Sequence, residues 1–309
     1  MLAIALALGA SLCWGSGDFL GGLTTRRATL WAVVVGSQAV GLTGAVLVVA
    51  LAGRPWIGLS GLWPVLLGGV AGSVALMAFY KALAIGTMSV VAPITATSAL
   101  IPFLWGLATG ERPGAPQLAG VALAVAGELA VSRQRARDRD SGGAAAMPGE
   151  PAVEPARLRP GAGTAAWAPD AASQRRAVVL AVFGAVGIGL MLLGFDGTAS
   201  HDALWAMLGE RISTACFFTI VLLLLRPRLG FRRAALPGIV AVGLLDTSAN
   251  GLFALATTHG FLSLVAVLGS LYPVVTVVLA YLVLRERLAP HQVAGVLCTL
   301  AGVALIAGA

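Results

Sequence analysis

Long apolar runs separated by short polar stretches dominate the chain, and most are too long for strands or for the core helices of a small domain. Crossing a bilayer takes about 20 apolar helical residues. Ten segments come up to or near that length: residues 2–23, 30–52, 60–84, 86–108, 116–132, 177–197, 202–225, 236–258, 262–284 and 290–308. None has the short alternating pattern of a membrane barrel. Backbone groups in lipid must be satisfied within the segment, so helices remain. The pattern predicts an all-α polytopic membrane protein of ten transmembrane helices. The first run reads as helix one, since it lacks a basic leader and carries Asp18 inside it.

Composition agrees: the 309 residues are 58% hydrophobic and 11% charged, with a mean hydropathy of +0.92, against about a quarter charged in soluble domains. Cys13, Cys216 and Cys298 fall in three different runs, and His201, His259 and His291 are equally scattered. No disulfide framework, metal site or cofactor motif is expected. A net charge of +7 invites a nucleic-acid partner, but the basic residues occupy loops between runs and form no single stripe. Assigned alternately to two sides, seventeen of the twenty Lys and Arg gather on one, only Arg54 and Arg112 lie on the other, and Arg211 is inside a run. This positive-inside bias predicts a multi-pass protein of the cell (inner) membrane with both termini outward. Residues 133–176 mix charges with Pro, Gly and Ala without helical period, and read as a disordered cytoplasmic linker between residues 1–132 and 177–309.

The two halves can be laid over one another. "ERPGAPQLAGVALAVAG" from Glu111 to Gly127 aligns without gaps on "ERLAPHQVAGVLCTLAG" from Glu286 to Gly302, and "GTMSVVAP" at Gly86 is similar to "GFLSLVAV" at Gly260. With five spans each, an odd number, the second half must sit inverted relative to the first. Such repeats in transporters enclose a substrate site near the midplane. Together with "WGSGDF" at Trp14 and "YKALAIGTMSVVAP" at Tyr80, these segments resemble the EamA family of the drug/metabolite transporter superfamily. The resemblance covers nearly the whole chain except the linker. It implies a ten-helix inverted-repeat carrier that exports or exchanges a small metabolite, an amino acid or drug-like compound, by alternating access.

Ionisable residues inside a bilayer cost roughly 2.5–3.5 kcal/mol each on insertion scales, and so need partners or a task. Asp18, Lys81 and Glu128 lie within about two turns of the basic side, where Asp18 and Lys81 pair if their helices touch and Glu128 reads as snorkelling. Ser11, Trp14 and Asp18 share one helical face, as do Asp246, Asn250, Phe253 and Thr257. Glu210, Arg211 and Asp246 stand roughly 13–15 Å from the nearer helix start, near the midplane. An Arg211–Asp246 ion pair is available there, leaving Glu210 as a proton carrier. Pro93 and Pro102 in the fourth run and Pro273 in the ninth predict kinks, with Thr95, Ser98 and Ser270 on the same faces. The expected substrate wall is Trp14, Asp18, Tyr80, Thr95, Ser98, Asp246, Asn250, Phe253, Ser270 and Tyr272. Lipid, a small-molecule substrate and protons are the expected partners. Packing glue and helix curvature explain the polar stripes and prolines without a substrate. Two rival functions stand beside the carrier. An intramembrane enzyme acting on a lipid-linked substrate would want clustered acid, base or metal ligands, and a non-transporting assembly subunit would leave the inverted halves unexplained.

Overall fold

The computed structural model describes residues 1–86, 88–132, 171–230, 232–285 and 289–309. Among them are twelve α-helices and no β-strand: α1 Leu2–Thr24, α2 Leu30–Leu51, α3 Gly58–Ile85, α4 Met88–Ala96, α5 Leu100–Ala108, α6 Ala115–Ser132, α7 Ala171–Ala199, α8 Ala203–Leu225, α9 Leu236–Thr257, α10 Leu262–Gly269, α11 Tyr272–Leu284 and α12 Pro290–Gly308. Eight are single spans; α4 with α5, and α10 with α11, are broken fourth and ninth spans, giving ten crossings. Local signals set several ends. Thr29 caps α2, Asp202 accepts from the Leu204 and Trp205 amides at the start of α8, and left-handed residues Arg226 and Arg285 stop α8 and α11. Helix α7 begins at residue 171, earlier than the expected 177. Residues 171–176 thus continue a helix already nucleated in the apolar run, where each added residue costs little. The rest of the expected linker, and Glu286 and Arg287 of the repeat match, lie outside the described residues.

The proline kinks take two forms. In span four a 3₁₀ turn at Thr97–Ala99 joins α4 to α5; Pro93 lies inside α4, and Pro102 is a buried residue of the first turn of α5. In span nine the helix stops at Gly269 and restarts at Tyr272, placing Pro273 in a first turn, where its missing N–H is not needed.

The inverted repeat is visible in the helix contacts themselves. Helices α6 and α12 cross antiparallel through paired glycines. A Cβ built on Gly120 would fall 2.7 Å from the Gly302 carbonyl oxygen, and one on Gly295 would fall 2.7 Å from that of Gly127. The other pair, Gly127 against the Gly295 carbonyl and Gly302 against the Gly120 carbonyl, repeats at 2.6 Å. Since Gly120 is the sequence match of Gly295 and Gly127 of Gly302, a two-fold operation maps this contact onto itself. Gly15 of α1 against the Tyr272 carbonyl and Val275 is likewise the counterpart of Gly189 of α7 against the Ser98 carbonyl and Ile101. The larger packing obeys the same operation: α1 lies on α9 and α7 on α3, while α2 lies on α9 and α8 on α3. These are close backbone approaches that only small residues permit.

Among the described residues, loop contacts never join opposite sides. The Thr29 amide donates to the Gly230 carbonyl and the Arg232 amide to that of Arg27, on the basic side. On the other side Arg54 meets Asp202 at 3.6 Å and the Trp205 indole donates to the Pro55 carbonyl. There too, both carboxylate oxygens of Glu111 accept from the Leu262 and Ser263 amides. The main apolar core also belongs to that side. It joins Ala3, Leu62, Val121, Phe195, Ala256 and Leu264 in one cluster, whereas the basic half carries separate small clusters around Ala82 and Val91 and around Val33 and Ile239. The side of the main core also holds a separate small cluster around Ala45 and Met207 and a pocket lined by Met1, Ile4, Gln117, His259 and Phe261.

Candidate functional site

A hydrogen-bonded charge cluster ties four helices together at mid-depth. The Arg211 guanidinium donates from Nε to Glu210 Oε2 at 2.7 Å, and from one terminal nitrogen to Asp246 Oδ2 at 2.7 Å and Gln38 Oε1 at 3.1 Å. Glu210 also accepts from Asn250 Nδ2 at 2.8 Å and from the Thr214 hydroxyl at 2.6 Å. Asn250 in turn accepts from the Trp14 indole N–H at 3.0 Å. Helix α8 supplies Glu210, Arg211 and Thr214, α9 supplies Asp246 and Asn250, and Gln38 and Trp14 reach in from α2 and α1. Glu210 and Arg211 are almost fully buried, but the Asp246 side chain is 34% exposed. Buried charges persist only when paired and hydrogen-bonded. Here one cation serves two carboxylates, which leaves a formal negative charge at the exposed one.

That exposed edge faces a gap between helices. Asp18 is exposed, one turn beyond Trp14 on α1, and interacts electrostatically with Asp246, Tyr80 and Tyr272. Tyr80 belongs to α3, which is not among the helices that α1 packs closely against, namely α9, α10 and α11. The interaction therefore reaches across a gap between two helices that do not pack closely. Trp14 floors it. Its ring stands 5.7 Å from Phe253 and 6.4 Å, edge-on, from Tyr272. A side chain on Gly269 would meet both Phe253 and Trp14 within 3.5 Å, so the broken span abuts the floor.

Five of the expected wall residues, Trp14, Asp18, Tyr80, Asp246 and Tyr272, are thus at least partly accessible around one gap. The other five are buried. Phe253 is fully buried behind Trp14, against Phe195 at 5.9 Å, and Asn250 is 2% exposed within the charge cluster. Thr95, Ser98 and Ser270 are buried, and the Thr95 hydroxyl turns back to the Val91 carbonyl as small hydroxyls in helices do. Thr257 likewise bonds the Ala254 carbonyl. Lys81 is exposed and forms no ion pair with Asp18, the only salt bridges among the described residues being Arg54–Asp202, Arg211–Glu210 and Arg211–Asp246. The physical reason is that α1 and α3 are separated by the gap. Arg211 binds Glu210 as well as Asp246, so Glu210 is not left over as a spare carboxylate. Glu128 does not snorkel: it is 2% exposed, with the Ser270 hydroxyl 3.2 Å from Oε2. Gln38 and Thr214 were missed, because a polar residue in an apolar run has no angular assignment until its helix is docked. Among the described residues no group of three or more His, Cys, Asp or Glu is placed to hold a metal ion.

The model of the EamA-like transporter family matches residues 1–133 and 175–308. The chain belongs to the EamA-like transporter family. Members are membrane transporters, so this EamA-like protein is a multi-pass integral membrane transporter handling small molecules. The two matched stretches fall on the inverted halves. A crystal structure of a protein 17% identical in sequence has the same fold, with a TM-score of 0.74 over 98% of this chain and 95% of that one. No curated protein matches the chain.

Proposed function

We propose that this transporter is a secondary carrier of the cell membrane that moves a small amine-bearing metabolite or drug-like cation by alternating access, described here in a conformation open to the basic, cytoplasmic side. The observation that carries the reading is the accessible gap at mid-depth: an unpaired carboxylate, Asp18, the exposed edge of Asp246, and the aromatic faces of Trp14, Tyr80 and Tyr272. Carboxylates attract an ammonium, and aromatic faces add about 0.5–2 kcal/mol of cation–π attraction apiece depending on desolvation. The main apolar core lies between this site and the far side, so a bound molecule crosses by the two halves rocking about the α6–α12 seam and the broken spans. The sequence has no nucleotide-binding loop, and transport driven by a proton gradient is the energy source proposed.

The test is a thermal-shift comparison of purified protein with phenethylamine, 2-phenylethanol and phenylacetate, followed by flux of the labelled amine in proteoliposomes. Only the amine should stabilise, by about 2.7 kcal/mol at a hundred times its dissociation constant, and Asp18→Asn should remove the effect. Equal stabilisation by the alcohol, or amine binding unaffected in Asp18→Asn, overturns the substrate class. Chemical alteration of the amine instead of its movement overturns the carrier.

A further inference from the structure

Glu128 is the one deeply buried carboxylate among the described residues without a cation partner. It sits on α6, packed against α12, α4, α10 and α11. The titratable groups these helices offer are few. Helices α4 and α10 have none, α12 has His291 and Cys298, and α11 has Tyr272 and Tyr281. Of these, only Tyr272 interacts electrostatically with Glu128, and Tyr272 also senses Asp18 and Tyr80. No Lys or Arg is on any of the four. Its hydrogen-bond partner is Ser270, the residue at which α10 stops.

That hydroxyl has a single proton and two claims on it. Ser270 Oγ is 2.9 Å from the Val267 carbonyl oxygen and 3.2 Å from Glu128 Oε2. Because the helix breaks at Leu271, no backbone amide among the described residues takes the Val267 carbonyl as its acceptor. Val267 is fully buried. If Ser270 donated to an ionised Glu128, that carbonyl would be orphaned in a dry site while a bare carboxylate kept one weak donor. Both are expensive. If Glu128 carries a proton and donates it to a Ser270 lone pair, Ser270 donates to Val267 and every group is satisfied.

We propose that Glu128 is the proton-binding site of the carrier, protonated in the conformation described and able to release its proton only when span nine rearranges at Ser270–Leu271. The inference rests on the carrier reading for its function, though not for its protonation state. Ionisation needs Ser270 to turn towards Glu128, and the abandoned Val267 carbonyl then needs the Leu271 amide, which closes the helix break. Tyr272, next along the chain, touches Trp14 edge-on and its carbonyl lies against Gly15. Closing the break therefore moves the floor of the substrate gap, an element with two discrete arrangements to which proton and substrate both couple.

Two measurements test this. Infrared difference spectra of protein labelled with ¹³C-glutamic acid should show a protonated glutamic carboxyl band at neutral pH that disappears in Glu128→Gln and shifts in Ser270→Ala, where the acceptor is lost. A wild-type spectrum without that band, or its persistence in Glu128→Gln, overturns the assignment whatever the protein transports. In proteoliposomes, Glu128→Gln should keep phenethylamine counterflow yet lose pH-gradient-driven accumulation. Retained accumulation overturns the coupling role, and absence of both activities in the wild type overturns the carrier reading while the infrared result still stands.

Discussion

Replacing Arg211 by Met separates the two arms of the charge cluster. The guanidinium is 3% exposed and holds Glu210, 4% exposed, at 2.7 Å on one side, and Asp246, 34% exposed, at 2.7 Å on the other. Removing one partner of a buried pair leaves an uncompensated charge and costs about 3–5 kcal/mol, and that figure applies to the Glu210 arm. Asn250 and Thr214 remain as its donors, so the lower end is expected, about 3 kcal/mol. Asp246 recovers water at its exposed edge, and its share falls towards the 0–1 kcal/mol of a solvated pair. Arg211→Met should therefore destabilise by about 3 kcal/mol and Asp246→Asn by about 1 kcal/mol. Arg211→Met combined with Glu210→Gln should recover most of the loss, because the stranded charge is gone. The assay is reversible unfolding in mixed micelles, with helix content read against denaturant fraction. Equal losses for Arg211→Met and Asp246→Asn, or no recovery in the double variant, would refute the assignment of the buried arm.

Two further outcomes follow from the packing. Gly127→Ala and Gly302→Ala place a methyl within 2.6 Å of a backbone oxygen, and each should destabilise by about 1–3 kcal/mol in the same unfolding assay. Gly22, with no atom within 4 Å of a built Cβ, should accept Ala with a gain of up to about 1 kcal/mol of helix propensity. With the native cysteines replaced by alanine, Arg54→Cys and Arg228→Cys should react with an impermeant maleimide from opposite faces of sealed vesicles; labelling from one face contradicts the alternation of the ten spans.

Much of this was legible in one sequence, for reasons specific to membranes. Lipid removes every spanning solution except self-satisfied helices, so run length alone located the crossings. Gly120, Gly127, Gly295 and Gly302 were readable as a repeat because a small residue at a backbone contact cannot vary without separating the helices. Depth is also readable, one residue at a time, and it brought Arg211 to Asp246. Azimuth is not. Trp14 and Asn250 are 236 residues apart, and nothing in either run says that their side chains converge. Glu128 shows the same limit. Four residues from a helix end, it has the spacing of a snorkelling side chain, and only the docking of α10 and α11 against α6 closes the route to the interface.

The backbone obeys the two-fold operation far better than the side chains do. By the correspondence of Gly15 with Gly189, Trp14 answers to Ile188; Gly36 against Ile239 is the counterpart of Gly209 against Val65, so Glu210 answers to Ser37 and Arg211 to Gln38, while Asp246 answers to Gly72 and Asn250 to Leu76. All the ionised members of the central cluster belong to the second half, and their counterparts Ser37, Gln38 and Gly72 carry no charge. If the halves exchange conformations during transport, the exchange moves a framework of equivalent helices around a set of charges that has no mirror. The two end states then differ in energy by what that cluster gains in each. A bound cation beside Asp18 and Asp246, or a proton on Glu128, acts on this difference directly. A symmetric scaffold supplies two accessible conformations of similar packing energy, and an asymmetric set of charges makes their balance depend on what is bound.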